Sequence, residues 1–288
     1  MNNVTRAGLI IAGLALIQPT YADGHGEHSA TPLDAVLAAQ PSETQARYDA
    51  RKPKETLMFF DVKPGDAVVE ASPGGGWYTQ ILLPYLGENG KLLAVDYDSG
   101  VWAAAGRDEE FIQNRKNWPD TFAKMKDEWG IEGGAQLSAA SFGNIDPSLN
   151  GTFDKVLFVR ALHLTARFEA DGGYLTKAMK EAFELLKPGG IMGVVQHAAR
   201  EDRSDEWADG SNGYLKASAV TAVASSVGFE LVDSSDMHAN EKDQADEGDF
   251  VWRLPPALST SKEDPELKAK MEAIGESNRM TLKFKKPI

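Results

Sequence analysis

Glu70 closes the apolar run Ala67-Val68-Val69, and Ser72-Pro73-Gly74-Gly75-Gly76 follows at once. A carboxylate at a strand end followed by a glycine turn suits a nucleoside-type ligand. The glycines let the backbone approach closely, and a helix beginning near Tyr78 offers free N–H groups at its start. Asp96 ends the next apolar run, 26 residues after Glu70. That is near the spacing at which a nucleotide-binding unit brings an acid to two ribose hydroxyls. His163 and His197 each fall just past a later apolar run, where either could serve as a base or be satisfied by local hydrogen bonds. Phe142 follows another such run and could cover an aromatic base or belong to the core.

These positions require strands and helices in alternation. Periodicity and turn residues predict strands at 67–69, 91–95, 135–140, 153–159, 191–195, 229–234 and 280–284. Helices are predicted at 32–39, from Ser42 as N-cap, from Pro53, and at 78–86, 108–129 and 177–186. In the long amphipathic stretch, Phe111, Ile112, Trp118, Phe122, Met125 and Trp129 are core candidates. Such alternation builds a mostly parallel sheet with helices on both faces, and ligands gather at the carboxyl ends of its strands. Residues 32–64 form an N-terminal helical cap whose Arg47, Tyr48, Asp49 and Arg51 reach a ligand or face solvent. An insertion at 236–260 ends in Phe250-Val251-Trp252-Arg253-Leu254-Pro255-Pro256; it either caps a pocket or is a solvated loop with an aromatic anchor.

The 288 residues carry a formal net charge of −13. Nucleic acid is therefore a poor partner, because its phosphates would be repelled, and a small molecule fits better. The absence of cysteine excludes disulfides and thiolate chemistry. Residues 1–22, with Arg6, the apolar stretch 7–17 and Thr20-Tyr21-Ala22, have the features of an export signal. The apolar stretch is too short to span a bilayer comfortably, so the expectation is an exported, periplasmic protein without stable membrane insertion. Residues 23–31 are then a flexible mature N-terminus and 32–288 a single domain; no oligomeric state is implied. Cleavage after Ala22 would expose Asp23-Gly24-His25, whose nitrogens could wrap Cu(II) or Ni(II). Otherwise His25 and His28 belong to a polar terminus without a role, and no other metal site is expected.

The ordered set Glu70-x-x-x-Gly74-x-Gly76, a strand ending on Asp96, Phe153-Asp154, and Leu186-Lys187-Pro188-Gly189-Gly190 before a further strand resembles the class I S-adenosylmethionine-dependent methyltransferases. Pro73-Gly74-Gly75-Gly76-Trp77-Tyr78-Thr79 and the closing Asn278-Arg279-Met280-Thr281-Leu282-Lys283-Phe284-Lys285-Lys286-Pro287 are similar to an exported bacterial group described as predicted methyltransferases. The likeness runs from about Arg47 to the C-terminus. It implies a Rossmann-like α/β fold with a seven-stranded sheet, mostly parallel with an antiparallel last strand.

The resemblance also implies S-adenosylmethionine as cofactor and a methyl acceptor, which the negative charge makes a small molecule. Glu70 and the backbone of Ser72, Gly74, Gly75 and Gly76 would hold the cofactor's amino-acid end, Asp96 its ribose, and residues near Phe142 its adenine. Trp77 or Tyr78 would offer a π face to the sulfonium, and His163 or His197 would take a proton from the acceptor. Ser72 stands where the family has its first glycine, and no Asp precedes Phe142. Two other readings stay open. An NAD-dependent oxidoreductase would share the glycine turn and Asp96 but would want glycine where Thr79 stands; a non-catalytic exported protein could bind S-adenosylmethionine or a related nucleoside.

Overall fold

Seven apolar runs become seven strands: β1 (Ala67–Ala71), β2 (Lys91–Asp96), β3 (Gln136–Ser141), β4 (Phe153–Val159), β5 (Leu186–His197), β6 (Glu230–Ser235) and β7 (Arg279–Lys285). The computed structural model describes Met1 and residues 32–288. The expected export signal and the Asp23-Gly24-His25 motif lie outside the described residues.

The strands form one sheet in the order β3-β2-β1-β4-β5-β7-β6. β1 pairs in parallel with β2 and β4, and β4 in parallel with β5. β7 slots between β5 and β6, antiparallel to both. This is the class I methyltransferase sheet, with the antiparallel last strand that the resemblance implies.

Side chains alternate across a strand, so neighbouring residues of β4 serve different cores. Leu157 joins Leu57, Phe60, Tyr78 and Ile81 on the face covered by the helix Thr79–Leu86 and the N-terminal helices. Val156 and Phe158 join Met179, Leu282 and Phe284 on the other face. There the helices Tyr174–Leu185 and Ala217–Ser226 pack, using Leu175, Met179, Ala182 and Val220. With both faces covered, Ala67–Val69 of β1 and Leu92–Val95 of β2 are unbroken apolar runs.

Three predicted boundaries are corrected. The stretch 108–129 is not one helix but three, Glu109–Lys116, Trp118–Phe122 and Met125–Glu128. Pro119 sits in the first turn of the second, where its missing N–H is harmless, although it would break a continuous helix. Of the core candidates there, Trp118 and Phe122 are buried. Ser42 is the first helical residue and Pro41 the N-cap, with no side-chain cap bond. β5 begins at Leu186: pairing passes from Phe153–Leu186 to Lys155–Ile191, so Lys187-Pro188-Gly189-Gly190 bulges out of the ladder rather than ending the helix before the strand starts. Among the described residues, no helix is long and apolar enough to cross a membrane.

Candidate functional site

The carboxyl ends of β1, β4 and β5 open onto a cavity of about 460 Å³. Glu70, Ser72, Gly74, Gly75, Trp77 and Tyr78 line it from the first strand and its turn. Arg160 and His197 line it from the ends of β4 and β5. Arg279 enters for a topological reason. Because β7 runs antiparallel to β5, with Arg279 opposite His197, its first residue lies at the edge where parallel strands end.

Two of these strand ends share an unusual backbone. Ser72 and Arg160 follow β1 and β4, with φ of 48° and 60°. Each donates its N–H to the neighbouring strand, Ser72 to the Val95 carbonyl and Arg160 to the Val195 carbonyl, both at 2.6 Å. Left-handed backbone is costly for side-chain-bearing residues, and it turns the chain sharply out of each strand. Ser72 thus keeps the conformation that a glycine would favour.

Glu70 is buried and accepts a 2.6 Å hydrogen bond from the Thr79 hydroxyl, the first residue of the following helix. Burial pushes its carboxyl up to about 7 despite that bond. The three glycines differ. A Cβ on Gly74 or Gly75 would meet nothing within 4 Å, so the backbone there is open to close approach by a ligand. Gly76 has φ of 77° and does not line the cavity; a Cβ there would overlap the Trp129 ring. Its glycine is required by packing.

Asp96 and Phe142 lie outside the cavity lining. The Asp96 carboxylate accepts a 2.8 Å hydrogen bond from Arg115 and forms an ion pair with it. The Tyr97 hydroxyl donates to the Ala161 carbonyl at 3.0 Å, so its side chain reaches from the end of β2 to just past β4, across the end of β1. Phe142 is buried in the core with its ring stacked on Phe158, 6.0 Å between centroids and 5° between planes. Of its two readings, core or adenine cover, the structure places it in the core. Trp77 already has a cation at its face, the Arg51 guanidinium 4.5 Å from the ring centroid.

The two histidines are neighbours, with ring centroids 5.9 Å apart. His197 lines the cavity and shares a hydrogen bond between its Nδ1 and the Ser277 hydroxyl. His163 does not line the cavity; its ring lies between those of His197 and Trp252, 5.8 Å from the latter. Burial pulls both below the usual histidine range, His163 to about 4, with nearby arginine charge acting in the same direction. Both imidazoles are therefore neutral at pH 7, and only His197 is placed to meet a ligand in the cavity.

Val251, Trp252, Leu254, Pro255, Pro256 and Ala257 line the cavity from the other side, so the 236–260 insertion does cap it. The segment between β5 and the helix Ala217–Ser226 joins this cap, a feature that the sequence pattern did not suggest. Tyr214 packs with Ala199, Ala208, Ala245 and Val251 in a small separate core. Inside the cap, Arg253 donates to Asp243 at 3.0 Å and to the Tyr214 hydroxyl at 3.1 Å. Asp243 also accepts from the Tyr214 hydroxyl and the Asn278 N–H, both at 2.9 Å. Arg253 and Asp243 are ten residues apart in an acidic, loop-like stretch, so no periodicity marks them as core.

No family model matches the chain. Over 65 residues, 23% of this chain and 22% of the relative, it is 35% identical to ribosomal RNA small subunit methyltransferase H of Flavobacterium psychrophilum. The Flavobacterium johnsoniae protein of the same name is 38% identical over 63 residues, 22% of this chain and 21% of the relative. The chain thus spans about a fifth of the length of the curated relatives it matches. Among solved structures, the (4+2)-cyclase SpnF aligns over 85% of this chain and 82% of its own, with a TM-score of 0.52 and 16% identity. At that identity the likeness concerns the fold alone. Sheet order, the antiparallel β7 and the site at the end of β1 together give this chain the α/β fold of class I S-adenosylmethionine-dependent methyltransferases.

Proposed function

We propose that the protein transfers a methyl group from S-adenosylmethionine to a small-molecule acceptor. The observation that carries this reading is the open Gly74–Gly75 backbone beside buried Glu70 at the end of β1, on a methyltransferase sheet and facing a capped cavity. When bound, the cofactor supplies a methyl group activated by its sulfonium. The chain's own task is then alignment and exclusion of water. Gly74 and Gly75 would let the backbone hold the amino-acid end, with Glu70 beneath it. Val251, Trp252 and Leu254 would cover the acceptor, and neutral His197 would accept its proton while Ser277 holds the ring in place.

The relatives that share a short segment are named for ribosomal RNA, but the −13 charge of this chain favours a small acceptor. If residues 1–22 act as the export signal that the sequence predicts, the acceptor is met in the periplasm. One observation weighs against tight cofactor binding under either the enzyme or the binding-protein reading: Arg115 occupies the carboxylate that would hold the ribose. The residues present fit the amino-acid end of the cofactor directly, while the ribose end requires Arg115 to yield Asp96.

Calorimetric titration of the full chain with S-adenosylmethionine, S-adenosylhomocysteine and NAD tests these readings. Binding of the first two, with methyl transfer to an acceptor, is the expected result. Tight binding without transfer would support the binding protein, NAD alone would point to an oxidoreductase, and no binding would end the cofactor assignment.

A further inference from the structure

The cavity carries a local charge opposite to that of the whole molecule. Arg51, Arg160 and Arg279 all line it, from the helix Tyr48–Arg51, the residue after β4 and the first residue of β7. Arg51 and Arg279 are only 8% and 5% exposed. Arg47 stands close by, and Glu276 lies within ion-pair distance of Arg47, Arg51 and Arg279 but forms no pair with Arg160. Glu276 pairs with Arg47 and Arg279, while Arg51 Nε is 4.0 Å from it, beyond hydrogen-bond distance.

Several donors are left over. Arg51 Nε and Nη1 and Arg279 Nε are buried without a hydrogen-bond partner. Among the described residues, Arg160 makes no side-chain hydrogen bond or ion pair with the protein. Burial lowers Arg51 to about 9 and Arg160 to about 10, and the neighbouring arginines push in the same direction. Their guanidinium groups stay charged at neutral pH all the same. The Trp77 face under Arg51 holds one plane in place. Buried cations in excess of their counter-charge destabilise the free protein, and a ligand anion would relieve them.

We propose that Arg51, Arg160 and Arg279 form a subsite for a carboxylate or phosphate group of the methyl acceptor, which is therefore an anionic small molecule. The proposal rests on the methyl-transfer reading and extends it to the class of acceptor. It also resolves a conflict within that reading, since a sulfonium cation would be repelled by three guanidinium groups that share one paired carboxylate. An anionic acceptor bound among them removes the repulsion. The cofactor has a carboxylate of its own, so the two sources of the anion must be separated.

Titration of the full chain with inorganic phosphate and, separately, with succinate, alone and with saturating S-adenosylhomocysteine, makes that separation. At least one anion is expected to bind native protein and to remain bound with S-adenosylhomocysteine present. Its affinity should fall about tenfold or more in Arg160→Gln, while Arg160→Lys, which keeps the charge, loses less. Melting temperatures show that each variant is folded. If Arg160→Gln does not fold, the native titrations and Arg160→Lys decide. Failure of both anions to bind, or affinity unchanged in Arg160→Gln, would overturn the subsite. Displacement by S-adenosylhomocysteine would assign it to the cofactor's carboxylate instead. Absence of S-adenosylhomocysteine binding with Arg160-dependent anion binding intact would remove the methyl-transfer reading and leave an anion site.

Discussion

The Arg115 guanidinium donates to the Asp96 carboxylate at 2.8 Å and so holds the acid that ends β2. Asp96 has 3% of its side chain exposed and Arg115 26%, so the acid depends on this partner far more than the arginine does. A ribose at Asp96 would compete with Arg115 for the same oxygens. Arg115→Met is expected to lower stability by about 1–3 kcal/mol, because a buried carboxylate loses its counter-charge. S-adenosylhomocysteine should then raise the melting temperature of the variant by more than that of native protein. Equal shifts would mean that Arg115 does not compete with the ligand.

Gly75 and Gly76 are adjacent, yet their replacement by alanine should have different effects. Gly76→Ala introduces a Cβ against the Trp129 ring at a φ of 77° and should destabilise by about 2–4 kcal/mol. Gly75→Ala meets no protein atom within 4 Å and should change the melting temperature little. It should nevertheless weaken S-adenosylhomocysteine about tenfold or more, if the backbone there approaches the ligand. Thermal melts paired with calorimetry read both effects, and unchanged affinity in Gly75→Ala would remove that turn from the site.

Glu70 predicts a pH dependence with a definite sign. Its pKa rises from 4.5 when unfolded to about 7 when folded, so the folded chain retains a proton that the unfolded chain has released between those values. This contribution makes stability fall as pH rises from about 4.5 to about 7, by on the order of 3 kcal/mol in total. Glu70→Gln keeps an acceptor for the Thr79 hydroxyl and removes the titration. The variant should therefore be more stable than native protein at pH 8 and gain little at pH 4. Denaturant titrations across that range check the prediction; parallel pH profiles for the two proteins would contradict it.

His197 and His163 should separate in turnover. His197→Ala is expected to lower kcat by about 10²-fold or more on a confirmed acceptor, as loss of a proton acceptor does. His163 does not line the cavity, and His163→Ala should act mainly through packing against His197 and Trp252. Its melting temperature should fall while kcat changes by less than about tenfold. Full turnover in His197→Ala would exclude it as the base.

The sequence alone was enough to determine the seven apolar runs, the turns between them and the strand ends carrying Glu70, Asp96 and His197. Those features are local: apolar period, proline and glycine placement, and the residue that follows a strand. The antiparallel position of β7 also followed from the residues, through the resemblance they carry. Only tertiary structure decided which strand-end residues share a cavity. Asp96 ends β2 and Arg160 directly follows β4, but Arg115 and the Tyr97–Ala161 hydrogen bond set Asp96 apart. Arg51, Arg160 and Arg279 are separated by more than a hundred residues in sequence, and Asp243 and Tyr214 meet inside the cap through contacts that no periodicity records. Charge convergence and partner choice depend on three-dimensional distance, whereas sequence pattern reports only which face of its own element a residue occupies.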